Sequence, residues 1–143
     1  MSGDGTVPEI RTVVIERILD APPEKIWRAL TEPHLLEEWL MKTDFKPVEG
    51  QRFTLSNEPK PDTKVTVEGE VLKVEPNKTL SYSWQAYGLD SVVTFTLTPT
   101  PNGTHLRMEQ SGFRPDQSAA FYGARAGWTQ FLEALEETLK RMD

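Results

Sequence analysis

The chain contains no cysteine. Neither a disulfide framework nor a thiolate zinc site is therefore available to it. It has only two histidines, His34 and His105. Basic residues are in the minority, with 16 Lys+Arg against 22 Asp+Glu and a net charge of -6. That balance disfavours a nucleic-acid partner, which needs a basic stripe to neutralise phosphates. It disfavours an anionic membrane surface for the same reason. No apolar run reaches the roughly 18 residues that a membrane-spanning helix needs. The N-terminal MSGDGTVPEI lacks the basic and apolar regions of a signal peptide, so a cytoplasmic location is expected. Also missing are a Gly-x-Ser-x-Gly elbow, a phosphate-binding loop, a dinucleotide fingerprint and paired catalytic carboxylates.

What is present fits one domain of 143 residues, long enough to bury a real core. Residues 1–8 are expected to be disordered, and 9–143 to form the domain. IRTVVIERILD reads as a strand, with apolar side chains at both parities and hence both faces open to cover. Ala21-Pro22-Pro23-Glu24 ends it and starts a helix, because proline suits a first helical turn. Ile26, Trp27 and Leu30 make one buried stripe. Thr31-Glu32-Pro33 breaks the helix, with Thr31 or Glu32 near the next cap, and Leu35, Leu36, Trp39 and Leu40 make a second stripe.

After Leu40 come five extended segments: FKPVEGQRFTL, TKVTVEGEVLKVEP, TLSYSW, DSVVTFTLTPT and THLRMEQSGF. Gly50, Glu58-Pro59-Lys60-Pro61, Pro76-Asn77-Lys78, Gly88 and Pro101-Asn102-Gly103 punctuate them, which predicts an antiparallel meander. The glycosylation-like triplets Asn77-Lys78-Thr79 and Asn102-Gly103-Thr104 read as turns. From Pro115 the pattern is helical again. Ala120, Ala124, Trp128, Phe131, Leu135, Leu139 and Met142 form one apolar face. Asp116 is placed to cap this helix or to complement its dipole, and Glu136 and Lys140 to pair along it. A long amphipathic helix needs an apolar surface, and a curved sheet with one apolar face supplies it. A straight helix cannot follow a strongly curved sheet, so a hollow is expected between them, closed at one end by the two short helices and their tryptophans.

These residues resemble a known family. Arg17, Ala21-Pro22, Ile26-Trp27-Arg28-Ala29-Leu30 and Leu36-Glu37-Glu38-Trp39 carry the resemblance at the start. Gly69-Glu70-Val71 with Val74 and Pro76, then Leu80-Ser81-Tyr82-Ser83-Trp84 and Val93-Thr94-Phe95-Thr96-Leu97, carry it in the middle. Gly103-Thr104, Ser111-Gly112-Phe113 and Gly127-Trp128 close it. From about Val13 to Met142 the chain resembles the START-like (SRPBCC, helix-grip) superfamily, in its branch of activator of heat-shock chaperone ATPase homologues. The resemblance implies an α+β helix-grip fold. A curved six- to seven-stranded antiparallel sheet wraps a long C-terminal helix, with two short helices after the first strand. It implies functions as varied as lipid, sterol, polyketide or hormone binding, cyclisation, and stimulation of a chaperone's ATPase.

The candidate site follows from the strand parity. Tyr82 and Trp84 share a face, as do Val93, Phe95 and Leu97, and Leu106, Met108 and Gln110. Trp39, Phe121 and Trp128 join them from helices. Together, Trp39, Tyr82, Trp84, Phe95, Met108, Gln110, Phe121 and Trp128 are the expected ligand-binding residues, unless the same side chains simply fill the core. Gln110 does not titrate near neutral pH, so it would orient a polar ligand group or else be a satisfied amide. Glu16 and Arg17 point to opposite faces, and a structural ion pair is expected at Arg17 in preference to ligand capture. His105 should face solvent and His34 should be exposed, so no metal and no cofactor is expected. The leading expectation is non-catalytic binding of a small hydrophobic or aromatic molecule. A chaperone-regulating partner module and a polyketide cyclase-like enzyme are the alternatives.

Overall fold

The computed structural model describes residues 11–57 and 66–142. The expected disordered segment 1–8 and the turn at Glu58-Pro59-Lys60-Pro61 lie outside the described residues. The elements are β1 (Arg11–Leu19), α1 (Pro23–Thr31), α2 (Pro33–Trp39), β2 (Lys42–Thr43) and β3 (Arg52–Ser56). They continue with β4 (Thr66–Glu75), β5 (Thr79–Ala86), β6 (Leu89–Thr100), β7 (Gly103–Phe113), a 3-10 turn (Pro115–Gln117) and α3 (Ser118–Arg141).

The strands form one curved, seven-stranded antiparallel sheet in the order β1-β7-β6-β5-β4-β3-β2. β3 to β7 are a plain meander, and β1 joins the free edge of β7. β6 and β7 turn over Pro101 and Asn102, so that Thr100 pairs with Gly103. The Pro76–Lys78 triplet is likewise a turn, between β4 and β5. The two short helices and α3 lie on one face of the sheet. This is the α+β helix-grip arrangement, with α3 packed on β1, α1 and α2.

Burial alternates along each strand, because successive side chains point to opposite faces. Leu80, Tyr82 and Trp84 of β5 face the helices, as do Val93, Phe95 and Leu97 of β6 and Leu106, Met108 and Gln110 of β7. Register aligns them in rows across the sheet. Ile15, Met108, Phe95 and Leu80 stand in one row, and Val13, Gln110, Val93, Tyr82 and Val71 in the next. β1 differs from its expectation. Its core face carries Val13, Ile15 and Leu19, while Val14 is 40% and Ile18 66% exposed. Only one face of β1 is covered, because the outer face of the sheet has no layer upon it among the described residues.

Pro22 and Pro23 hold the N-cap and first position of α1. Glu32 is the N-cap of α2, without a side-chain cap bond. The Thr31 hydroxyl instead donates back to the Trp27 carbonyl at 2.8 Å. Trp39 is buried, and its indole Nε1 donates to the Ala29 carbonyl at 2.8 Å, fastening α2 to α1. Trp27 is only half-buried, so one of the two expected wall tryptophans reaches the interior fully.

The last helix departs from a uniform amphipathic rod. Trp128, Leu132, Leu135, Thr138 and Leu139 are buried, and nothing from Ser118 to Gly127 is. Ala120, expected on the apolar face, is exposed, and Ala124 is half-buried. Asp116 lies in the preceding 3-10 turn, where it pairs with Arg114 at 3.3 Å, and the α3 N-cap is Gln117. Lys140 pairs with Glu137 at 3.3 Å rather than with Glu136, since neighbours three apart lie as close as those four apart.

Candidate ligand-binding site

The interior between sheet and helices is an aromatic chain. Trp39 meets Phe95 edge-on at 6.4 Å between centroids, Phe95 meets Trp128 at 5.9 Å, and Trp128 meets Trp84 at 5.2 Å. Tyr82 lies 6.2 Å from Phe95. Such edge and tilted contacts suit rings with a negative face and a positive rim. Of the eight candidate residues, Trp39, Tyr82, Trp84, Phe95, Met108, Gln110 and Trp128 are buried and gathered on this side of the sheet. Phe121 stands apart from that chain. It is half-buried and packs edge-on against Phe113 at 5.7 Å, at the end of β7 from which α3 departs.

Phe45 and Phe53 belong to the same interior and are absent from the sequence-based set. Phe45 touches Phe53 at 4.9 Å, and they meet Tyr82 at 5.7 and 5.1 Å respectively. Gly69 makes room for Phe53. A Cβ there would lie 2.5 Å from the Phe53 ring and closer still to the Ser83 carbonyl. The alternation of Phe53 and Leu55 was visible in the sequence. Phe45 sits in irregular chain after β2, where no periodicity marks it.

Polar groups in the interior are few and mostly paired. Trp128 Nε1 donates to Gln110 Oε1 at 2.8 Å. Gln110 Nε2 donates to Ser91 Oγ at 2.9 Å, and Ser91 Oγ donates to the Trp84 carbonyl at 2.8 Å. This relay ties α3 through β7 and β6 to β5. Gln110 thus commits its carbonyl and one amide N–H to the protein. Thr104 Oγ1 donates to the Ala21 carbonyl at 2.7 Å. The Tyr82 hydroxyl and the Trp84 indole N–H have no hydrogen-bond partner among the described residues. Burial alone pushes the Tyr82 phenol up from its ordinary 10.0.

Charge is confined to the surface. On the outer face His105 Nε2 lies 2.6 Å from Glu16 Oε1. Arg107 reaches Glu16 at 3.5 Å and Glu109 at 2.7 Å. The hydrogen bond and charge of Glu109 hold the Arg107 guanidinium above its usual value. The ion pair expected at Arg17 is thus made by its neighbour Glu16. Arg17 is half-buried, and its guanidinium donates to the Glu16 carbonyl at 2.9 Å. Strand parity explains the exchange, because Glu16 shares the outer face with His105 and Arg107. His34 is exposed, 3.7 Å from Glu32. No three His, Asp or Glu side chains converge as a metal set among the described residues, and no described helix is long and apolar enough to cross a membrane. Surface grooves also occur among the described residues. One, of about 300 Å³, runs among Asp44, Arg52, Glu68, Glu70 and Gln85, and another, of about 510 Å³, among Pro23, Pro76, Lys78, Thr96 and Pro99.

A curved sheet gripping a C-terminal helix over an aromatic, uncharged interior defines the helix-grip class of START-like proteins. Residues 20–140 match the model of the activator of Hsp90 ATPase homolog 1-like protein family, and the chain belongs to that family. No functionally curated protein matches the sequence. The crystal structure of protein MLL2253 from Mesorhizobium loti is 62% identical, covers 93% of this chain and 99% of its own, and superposes with a TM-score of 0.87. CalU16 from Micromonospora echinospora is 26% identical over 92% of this chain and 77% of its own, with a TM-score of 0.77. DynU16, a protein of the dynemicin biosynthetic locus, shares the fold at 23% identity and a TM-score of 0.80. The match covers 90% of this chain and 47% of DynU16.

Proposed function

We propose that the protein binds a small, neutral hydrophobic or aromatic molecule between the concave face of its sheet and α3, and does no chemistry on it. The carrying observation is the change in α3 at Trp128. From there to Leu139 the helix seals the core, whereas from Ser118 to Gly127 no residue is fully buried. Over this part of α3, which meets the sheet through Phe121 against Phe113 at 5.7 Å, Ala86, Leu89 and Phe121 are half-buried beside buried Trp84 and Phe113. An apolar rim leading to an aromatic interior suits a ligand driven in by burial of its own surface, at about 25 cal/mol per Å² before association costs.

The interior polar set supports binding over catalysis. Thr31, Ser91, Thr104, Gln110 and Thr138 are its buried polar residues, joined by the Tyr82 phenol, which burial pushes up from 10.0, and none of them titrates near neutral pH as a general acid or base must. The kinship with CalU16 and DynU16, the second a protein of a biosynthetic locus, accords with a small-molecule ligand. Native mass spectrometry of freshly purified protein tests this reading directly, because a retained molecule appears as added mass. Titration of tryptophan fluorescence with neutral aromatic compounds is the complement. The reading is lost if no compound gives a saturable change and no mass is retained.

A second reading, a partner-binding module acting on a chaperone ATPase, draws on the family's description and on the exposed Val14 and Ile18 of the outer face. Chaperone capture that Ile18→Asp abolishes is its expected result, and unchanged ATPase turnover in the presence of the protein counts against it.

A further inference from the structure

The interior is hydrogen-bonded almost throughout, which isolates the exceptions. The Trp39 and Trp128 indoles, Gln110, Ser91, Thr31 and Thr104 all have protein partners at 2.7–2.9 Å. Tyr82 is 2% exposed, and its hydroxyl has none among the described residues. A native structure rarely leaves such a group unpaired without a reason. Phenylalanine would give the same ring packing against Phe45, Phe53 and Phe95 without that penalty. Trp84, two residues along β5 on the same face, is 8% exposed and also has an unpaired N–H among the described residues. Residues i and i+2 on a strand are roughly 7 Å apart, so one small molecule spans both positions.

Both groups fit the same kind of partner. An indole N–H only donates. A phenol in apolar surroundings stays protonated and donates to any acceptor brought to it. The buried residues of the interior include no charged side chain. A carboxylate there would lose its hydration without gaining a counter-charge, which is prohibitive. We propose that Tyr82 is the polar anchor of the ligand site, donating to an uncharged carbonyl-type oxygen of an aromatic ketone or quinone, with Trp84 donating from the next inward position of β5. This rests on the reading of the interior as a ligand site and narrows that site to neutral acceptors.

The test compares three naphthalenes of nearly equal shape by calorimetric titration of the full chain: 2-acetylnaphthalene, 2-ethylnaphthalene and 2-naphthoate. The ketone is expected to bind about tenfold tighter than the hydrocarbon, the worth of one neutral hydrogen bond whose donor is otherwise unpaired. The carboxylate is expected not to bind. Tyr82→Phe should hold the hydrocarbon as before and lose the preference for the ketone. The empty Tyr82→Phe protein should keep its Tm, or gain about 2–4 °C, because an unpaired group has been removed. Equal binding of ketone and hydrocarbon by the unaltered protein overturns the anchor while the site stands. A ketone preference that survives Tyr82→Phe does the same. A clear fall in Tm of the empty variant shows that the hydroxyl already has an internal partner, and also overturns it. If none of the three naphthalenes binds, the site reading falls together with the anchor.

Discussion

The two parts of α3 meet the sheet differently although they belong to one unbroken helix. From Trp128 to Leu139 it presents Trp128, Leu132, Leu135 and Leu139 to the core at helical spacing. From Ser118 to Gly127 it carries alanines, glycines and two aromatics, and no side chain is buried. Gly123 and Gly127 sharpen the contrast. A Cβ at either would meet nothing within 4 Å, so no close packing calls for glycine there. Each glycine lowers helix stability by about 0.5–1 kcal/mol relative to alanine. A helix that is held by packing at one end and weakened in its own sequence at the other is built to be least stable over the apolar rim. Helical stability in proteins comes mainly from tertiary packing, and here the fully buried contacts lie in the C-terminal part.

The largest expected effect lies in the sealed part. Leu135→Ala should cost about 2–5 kcal/mol in urea unfolding, since Leu135 is fully buried and the cavity left behind cannot collapse. Ala120→Gly, in the open part, should cost no more than the propensity difference of about 1 kcal/mol. Near-equal losses from the two would abolish the distinction between the parts.

Next comes the residue where the two parts join. Trp128→Phe leaves the Gln110 carbonyl buried without its donor. It should cost about 1–3 kcal/mol beyond the lost ring volume. The double variant Trp128→Phe with Gln110→Leu should recover part of that cost, because no unsatisfied amide carbonyl then remains. The same urea measurement reads both.

A third experiment tests how dry the interior beneath the helix is. The folded-state pKa of Tyr82 is raised above its ordinary 10.0. The unfolded chain therefore releases this proton first as pH rises. Stability linked to Tyr82 is fully present below pH 10 and declines above it, at up to about 1.4 kcal/mol per pH unit. Comparing the protein with Tyr82→Phe by denaturation between pH 9 and 11 isolates this slope from the other titrating groups. Parallel pH profiles for the two would mean that the phenol is not desolvated.

The smallest effect has the opposite sign. Gly123→Ala and Gly127→Ala should each stabilise by about 0.5–1 kcal/mol, measurable as a rise in Tm. In hydrogen exchange, the amides of residues 118–127 should become better protected while those of 128–139 change little. Protection rising equally along the whole helix would show that its two parts open together.

Much of this was legible beforehand for a physical reason. Period-2 alternation in β5, β6 and β7 assigns Tyr82, Trp84, Phe95, Met108 and Gln110 to one face, because strand geometry leaves only two. Pro22-Pro23 and Pro101-Asn102 placed a helix start and a hairpin, because proline and asparagine restrict or permit particular backbone angles. The misreadings have a common cause. Ala120 continues the apolar spacing of α3 yet is exposed, because spacing tells which side a residue faces and not whether anything lies there. Arg17 matched a family pattern, but the ion pair went to Glu16, whose face is shared with His105 and Arg107 from another strand. Phe45 escaped notice because irregular chain has no period.

The sequence by itself determined the order of the main elements, the inward faces of β5, β6 and β7 and the aromatic, uncharged character of the interior. All of these follow from local backbone geometry and from the cost of burying charge. Only the tertiary structure decided which polar groups found partners, that Gln110 serves Trp128 and Ser91 while the Tyr82 hydroxyl is left without a partner among the described residues, and where along α3 full burial begins. Those outcomes depend on distances between segments far apart in the chain, which a curved sheet and a straight helix fix only when they are packed together.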